Sequence, residues 1–414
     1  MSPRFPQELF DRIIDYAEYK DEVLKSYSMV CKRWSVRSRS HFFKILQICQ
    51  PIDLDRWCKR IPPTTDGPSK HVKDLWVQFG VVPLVHEPPP LDSYLNHFSA
   101  LTRVVDLTLI DHRGKVHLDT MFQCFSGFRN SLRRVKLFSN TFGFEEVSRI
   151  IEFFPNLETL VVWSPNSPRF AEKAKGPFQP PRRASFPRLR NLCFHLFSKS
   201  PALEHNLLSG FAGASMDLET LSITGPVPDP SVVQKLLDSS AQSLIGLSTF
   251  PLGKSCSWRY PHTTMLMIHP PWPRVELDLS ACDNLQQIEV HDLLHSYSSS
   301  CYFHDSLDKP RFEYMLRTIT SPTLCAIFVR VTTRVMMGED EYVVLPENDW
   351  RGVDTSLCDA LVRVRAHTRN PLWTFGIRIT GCVLYDDDNL PNLKMILPDF
   401  QGMGGIVLFS TSCD

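Results

Sequence analysis

Apolar residues recur along most of the chain in one short frame. The first apolar residue is followed three positions later by a second, and two positions after that by a third, as in Leu132-x-x-Val135-x-Leu137. Successive side chains of a strand point to opposite faces, so the second and third frame residues would share one side of a strand. The frame predicts further strands at 157–162, 189–194, 218–223 and 285–290, with looser copies at 104–109, 324–329 and 375–379.

Stretches with helical periodicity separate these frames. Residues 144–151 and 357–364 carry apolar side chains at helical spacing, and Asp229-Pro230 has the residue types that begin a helix. A strand and a helix repeating about every 25 to 30 residues is the period of leucine-rich repeats, whose units must stack to cover their apolar edges. The sequence therefore predicts an α/β fold built as an irregular leucine-rich-repeat solenoid. An irregular α/β domain with several parallel strands remains the alternative.

The N-terminal 48 residues follow a different pattern. Leu9, Ile13 and Ala17 recur at helical spacing, and two more short helices are predicted in 21–30 and 34–43. Three short helices this rich in large apolar residues cannot turn all of them inward, because so short a segment rarely builds an adequate core alone. The segment is therefore predicted to expose an apolar surface that the rest of the chain or a partner protein covers.

Three motifs lie in this segment: Phe5-Pro6-x-Glu8-Leu9, Ile13-Ile14 and Ser28-x-Val30-Cys31-Lys32-Arg33-Trp34. In order and spacing they resemble the F-box, and more narrowly the F-box of the large fungal family with divergent leucine-rich tails. Phe5 stands where that family usually has leucine. The resemblance implies a short three-helix module that binds a Skp-type adaptor through Phe5, Pro6, Glu8, Leu9, Ile13, Ile14, Leu24, Ser28, Val30, Cys31 and Trp34.

The same resemblance implies a function. The chain would be the substrate-recognition (F-box) subunit of an SCF cullin-type E3 ubiquitin ligase, linked to a cullin through the adaptor. The leucine-rich domain would hold an unknown protein substrate on the concave face of its sheet. The predicted target contacts are residues beside the frames, namely Ser139, Asn140, Trp163 and Thr224. No cofactor is implied, and the chain itself is not expected to be an enzyme.

Composition suggests where these parts begin and end. The helical module is assigned to 1–48, a linker with Pro-rich loops to 49–100, the irregular leucine-rich-repeat domain to 101–385, and a tail or cap to 386–414. Proline clusters such as 62–70 mark the loops.

Charge and cysteine usage argue against several function classes. Lys plus Arg and Asp plus Glu each number 45, so no basic excess favours nucleic acid or a membrane surface as a partner. The N-terminus enters a helix without a signal peptide, and no apolar run reaches the roughly 18 residues of a membrane span. The 12 cysteines are dispersed, which favours reduced thiols. We therefore expect a cytoplasmic and/or nuclear protein.

Motifs of catalysis and metal binding are incomplete. Gly253-Lys254-Ser255 lacks the earlier glycine of a phosphate loop, and His291 and His295 lack the glutamate of a zinc hydrolase between them. Three alternatives to the ligase subunit stay open: an F-box scaffold without a ligase role, a plain leucine-rich interaction protein, and an unrecognised enzyme in 250–414.

Overall fold

The computed structural model describes most of the chain, and every structural statement below refers to residues 7–17, 21–61, 64, 67–79, 95–111, 118–139, 142–164, 184–196, 201–224, 229–249, 277–294, 309–333, 351–365, 374–380 and 397–412. The chain divides into two compact units, Met1–Lys173 and Ala174–Asp414. Both units are mixed α/β structures. Among the described residues, no helix is long and apolar enough to span a membrane.

The first unit begins with three helices and continues as alternating strands and helices. The three helices are α1 (Gln7–Tyr16), α2 (Asp21–Ser28) and α3 (Lys32–Phe42). They are followed by β1 (Ile45–Ile48), α4 (Pro51–Arg60), a 3-10 helix (Pro68–His71), β2 (Asp74–Phe79), α5 (Leu95–Ser99), β3 (Asp106–Asp111), α6 (Leu118–Cys124), a second 3-10 helix (Phe125–Phe128), β4 (Arg134–Ser139), α7 (Phe144–Phe153) and β5 (Thr159–Ser164). The five strands pair in parallel in chain order.

The second unit repeats this alternation. Its elements are β6 (Ser185–Phe186), β7 (Asn191–Leu196), α8 (Pro201–Ala212), β8 (Ser215–Met216), β9 (Thr220–Thr224), α9 (Pro230–Ser240), β10 (Gly246–Thr249), β11 (Gln287–Leu294), α10 (Lys309–Thr318), β12 (Ala326–Thr333), α11 (Arg351–Arg365), β13 (Thr374–Thr380), α12 (Pro398–Gly402) and β14 (Ile406–Ser412). Seven of the strands form a parallel sheet in the order β7-β9-β10-β11-β12-β13-β14, and β6 pairs with β8 separately.

The strand register explains the repeating frame. The second frame residue of each strand lies beside its counterpart in the next, so that Leu75, Leu107, Val135 and Leu160 form one row across β2 to β5. All four are buried. The hydrogen bonds at the start of each strand repeat as well. One main-chain carbonyl accepts from two successive N–H groups of the next unit, as the Lys73 carbonyl does from the N–H groups of residues 105 and 106. Each strand is therefore positioned by the strand before it.

The eight sequence frames all coincide with strands, which confirms the predicted strands. The ranges that the sequence assigned to a linker and to a tail also contain regular elements. Residues 49–100, assigned to a linker, contain α4 and β2, and β2 pairs on both sides. Residues 386–414, assigned to a tail or cap, contain α12 and β14, which pairs with β13. Leu75 and Val77 of β2 continue the buried rows of the neighbouring strands. The C-terminal segment is held by buried Phe400, whose ring centroid lies 6.5 Å from that of Phe375.

Candidate functional site

The three N-terminal helices have a small interior of their own. Ile14, Ala17 and Leu24 are buried together, and Trp34 packs against this cluster. The Trp34 ring lies 5.5 Å from the Phe10 ring, centroid to centroid, and 5.1 Å from the Tyr27 ring. Helices α1 and α2 are thereby fixed against α3 by aromatic contacts, which prefer such edge-on and tilted arrangements.

This interior corrects two predicted adaptor contacts. Ile14 and Leu24 are 0% and 1% exposed, so neither side chain can contact a partner directly. Adjacent helix positions are about 100° apart around the axis, so Ile13 and Ile14 project in different directions, and Ile13 is 46% exposed. The Ile13-Ile14 pair therefore divides into one surface and one core residue. Trp34 is half-buried and mainly positions α1 and α2.

A neighbouring face of α1, beside this interior, carries a continuous apolar stripe. Leu9, Ile13 and Tyr16 are 43%, 46% and 89% exposed, and their spacing of four and then three residues places them on one helix face. They border an open groove of about 770 Å³, here called the N-terminal groove, which is lined by Leu9, Phe10, Arg12, Ile13, Tyr16, Ala17, Val23 and Tyr27.

The other predicted adaptor contacts have mixed placements. Glu8, Val30 and Cys31 are exposed, and Ser28 is half-buried, its hydroxyl donating to the Lys25 carbonyl at 2.6 Å. Phe5 and Pro6 lie outside the described residues. The sequence prediction missed the groove residues Phe10, Arg12, Tyr16, Val23 and Tyr27, as well as exposed Met29. Helical spacing from Leu9 and Ile13 was the signal that could have identified Tyr16.

An ion-pair cluster joins the C-terminal end of α1 to the C-terminal half of α3. The Arg37 guanidinium donates to both carboxylate oxygens of Asp15, at 2.8 and 2.7 Å, and His41 Nε2 lies 2.7 Å from Asp15 Oδ1. Hydrogen bonds from Arg37 hold the pKa of Asp15 below its ordinary value, against the opposing effect of partial burial. The pKa of Arg37 is raised in turn by its hydrogen bonds to Asp15. The cluster links α1, which carries the groove, to α3.

We expect Asp15→Asn to destabilise the N-terminal helices by about 0.5–1 kcal/mol at pH 7, the range of partly exposed ion pairs. A carboxyl with a lowered folded-state pKa stabilises the fold above its unfolded pKa of roughly 4, and this stabilisation is lost as the pH falls through the folded value. The difference between wild type and variant in urea unfolding should therefore shrink in acid. An equal difference at pH 7 and in strong acid would show that the ion pair is not its origin.

The predicted target contacts differ in how far their side chains are exposed. Ser139 is buried because it has the same strand parity as Val135 and Leu137 and so turns inward. Thr224 is also buried, its hydroxyl donating to the Phe194 carbonyl at 3.1 Å. The prediction that Ser139 and Thr224 contact a target at the surface is therefore corrected. Trp163 is 37% exposed and stays a candidate, whereas Asn140 lies outside the described residues.

Trp163 does not lie alone on the sheet. Its ring is stacked on Phe138 of the neighbouring strand, with the centroids 5.4 Å apart and the planes 22° from parallel. Lys136 precedes Phe138 by two positions and so lies on the same face of the sheet. The sequence prediction missed both Phe138 and Lys136, although strand parity within the frame could have identified them.

A cysteine and a histidine lie close together on the sheet of the second unit. Cys193 Sγ is 3.3 Å from His195 Nε2, and the His195 Nδ1 contacts the Thr224 hydroxyl. Burial raises the pKa of the Cys193 thiol and lowers the pKa of His195, which favours the neutral form of both. A catalytic thiol needs the opposite shift, so these shifts do not activate Cys193 as a nucleophile.

The motifs considered for phosphate or metal binding can be followed only in part. Gly253-Lys254-Ser255 and His295 lie outside the described residues, and His291 lies in β11. Within the ranges that the structure describes, no three His, Cys, Asp or Glu side chains are grouped to hold a metal ion. The best-defined features are therefore the N-terminal groove and the aromatic sheet face around Trp163. No known family model matches this chain, and no curated protein is significantly similar to it.

Proposed function

We propose that the chain is the substrate-recognition (F-box) subunit of an SCF cullin-type E3 ubiquitin ligase. Its N-terminal helices bind a Skp-type adaptor, which joins it to a cullin, and its strand-and-helix units bind a target protein. The observation that carries the proposal is the exposed stripe of Leu9, Ile13 and Tyr16 on a module whose motifs follow the F-box order.

The energetics of the groove support a protein partner. The helices already bury Ile14, Ala17 and Leu24, so the outer stripe is not needed for their own interior. Each large apolar side chain removed from water contributes about 1.5–3 kcal/mol, and a few such anchors dominate typical interfaces. A stripe of three neighbouring apolar residues is thus well suited to a stable, mainly apolar contact.

The repeating units support the second half of the proposal. We interpret the parallel strands, with their buried frame residues in register and their helices between, as an irregular leucine-rich-repeat domain. Such a domain offers a long sheet face for a target protein. Holding that target close to a charged ubiquitin carrier raises the effective concentration of its lysines, so the chain contributes proximity rather than chemistry. We accordingly expect it in the cytoplasm and/or the nucleus.

The direct test is a binding assay with purified proteins. The full chain is mixed with a purified Skp-type adaptor and passed over a size-exclusion column; co-elution as a stoichiometric complex is the expected result. Elution of two separate peaks at micromolar concentration would overturn the adaptor half of the proposal, and the ligase with it.

A second measurement separates a ligase subunit from a scaffold. The adaptor complex is combined with a cullin, its RING partner, a ubiquitin-conjugating enzyme and ubiquitin, and capture of the cullin is measured. In addition, protein abundances in cells lacking the chain are compared with those in wild-type cells by quantitative proteomics. Cullin capture together with accumulation of a specific protein supports the ligase. Adaptor binding without cullin capture would favour the F-box scaffold instead.

A further inference from the structure

The shape of the N-terminal groove depends on how two helices are placed relative to each other. Most of its lining residues belong to α1, whereas Val23 and Tyr27 belong to α2. Both helices pack on α3, where the Trp34 ring contacts the Phe10 ring of α1 and the Tyr27 ring of α2. A change in the angle between α1 and α3 would therefore change the width of the groove.

A second attachment of α1 to α3 lies beyond the contact between Phe10 and Trp34. Asp15 is the residue before the last one of α1, and its carboxylate contacts two side chains of α3. The Arg37 guanidinium donates to both of its oxygens, at 2.8 and 2.7 Å, and His41 Nε2 lies 2.7 Å from Oδ1. Phe10 and Asp15 are five residues apart, about 7.5 Å along a helix. Attachment at two separate points fixes the direction of α1 against α3.

The second attachment is made by an ionised carboxylate. Hydrogen bonds from Arg37 hold the pKa of Asp15 below its ordinary value. Because an ionised carboxylate accepts but cannot donate, the hydrogen between Asp15 and His41 is carried by Nε2 of the histidine. The Asp15 and Arg37 side chains are 39% and 43% exposed, and that of His41 is 13% exposed. Charge-assisted hydrogen bonds of this kind are roughly twice as strong as neutral ones.

The attachment and the groove use different faces of α1. On a helix Asp15 lies about 120° around the axis from the stripe of Leu9, Ile13 and Tyr16. Its carboxylate is held towards α3 by the hydrogen bonds described above. A partner in the N-terminal groove therefore contacts the stripe while the Asp15 cluster stays intact.

We propose that Asp15 is a positioning residue for adaptor binding. Through Arg37 and His41 it fixes the C-terminal end of α1, so that the exposed stripe is held in the orientation that the adaptor binds. A surface that is ordered before binding gives higher affinity, because less conformational freedom is lost in the complex. This inference rests on the proposed function and identifies a residue that controls adaptor affinity from outside the contact surface.

Charge reversal across the Asp15–Arg37 pair tests this inference. Asp15→Lys and Arg37→Glu each replace an attraction by a repulsion, and each should weaken adaptor binding by the full chain about tenfold in isothermal titration calorimetry. The double variant Asp15→Lys/Arg37→Glu restores opposite charges across the pair, so it should bind the adaptor more tightly than either single variant. A double variant that binds no more tightly than the single variants shows that the two side chains act separately, and the inference is then overturned.

A reversed ion pair elsewhere in the first unit controls for the change in net charge. Asp55 Oδ2 lies 2.6 Å from Lys59 Nζ in an exposed pair on α4. Asp55→Lys changes the net charge as much as Asp15→Lys does, and it should leave adaptor affinity within about twofold of wild type. An equal loss in both variants would attribute the effect to net charge and contradict the positioning role.

Hydrogen exchange of the free chain, followed by mass spectrometry, measures the attachment of α1 without the adaptor. The main-chain amides of α1 should exchange about tenfold faster in Asp15→Lys than in wild type, whereas those of α7 should keep their rates. If Asp15→Lys does not fold, Asp15→Asn removes the charge without adding a repulsion and should show a smaller change of the same kind. Unchanged exchange of α1 in these variants overturns the inference.

The two measurements together separate this inference from the proposed function. If wild type does not bind the adaptor but α1 exchanges faster in the variants, the ligase role is overturned and the attachment of α1 by Asp15 stands. If wild type binds the adaptor and Asp15→Lys binds it equally well, the positioning role alone is overturned.

Discussion

The double variant Leu9→Glu/Ile13→Glu is expected to lose adaptor binding while keeping its fold. Both side chains are more than two fifths exposed on α1, so their replacement leaves the interior of Ile14, Ala17 and Leu24 intact. Glutamate is also a good helix former, which keeps the effect on α1 itself small.

The size of the loss follows from burying charge in an apolar contact. An interface anchor contributes about 2 kcal/mol or more, and an unpaired carboxylate in an apolar contact adds a desolvation cost of at least a similar size. Two such changes should weaken binding by more than about 100-fold, or about 2.7 kcal/mol. Isothermal titration calorimetry of adaptor into the chain measures this directly.

A matched substitution controls for the added charge. Ile52 is 48% exposed on α4, outside the N-terminal groove, and Ile52→Glu should leave adaptor affinity within about twofold of wild type. Adaptor binding at wild-type affinity by Leu9→Glu/Ile13→Glu would place the docking surface elsewhere. An equal loss in Ile52→Glu would point to a general effect of charge rather than to the groove.

The sequence predicted these surface residues only in part, because a single helix pattern does not reveal which face is the core. Leu9, Ile13 and Ile14 all lie in the motifs that resemble the F-box, yet only two of them are exposed. The choice depends on how α1 and α2 pack against α3 around Trp34. That packing is a tertiary property, and the apolar spacing of one helix is compatible with either face turned inward.

The sheet, too, was predicted only in part from the sequence. The frames predicted eight strands because an apolar residue at every second position is a local signal. Residues 43–48 and 72–77 follow the same frame, yet β1 and β2 were missed. The first range fell in the segment assigned to the helical module, and the proline-rich segments around the second favoured a linker. The target residues Ser139 and Thr224 were misplaced for two reasons. The Ser139 side chain lies on the buried face of its strand. The Thr224 side chain lies on the outer face of its strand but is covered by its hydrogen-bonded neighbours.

The most damaging single substitution in the first unit is expected at Phe125. Four phenylalanines that are fully buried, Phe98, Phe125, Phe128 and Phe154, form a row from α5 to the turn after α7. Neighbouring ring centroids are 5.5, 5.2 and 6.2 Å apart along that row. Phe125 contacts the rings on both sides, so it joins successive strand-and-helix units whose stability depends on their neighbours.

Phe125→Ala should therefore lower the free energy of unfolding by about 3–5 kcal/mol, the range for deleting a buried aromatic side chain and leaving a cavity. Phe125→Leu keeps most of the volume and should cost about 1–1.5 kcal/mol. Phe42 is 39% exposed, and Phe42→Ala should cost less than about 1 kcal/mol. Urea unfolding followed by circular dichroism gives all three values, provided that the slope with denaturant is unchanged. A cost for Phe125→Ala no larger than that for Phe42→Ala would mean that the phenylalanine row does not hold these units together.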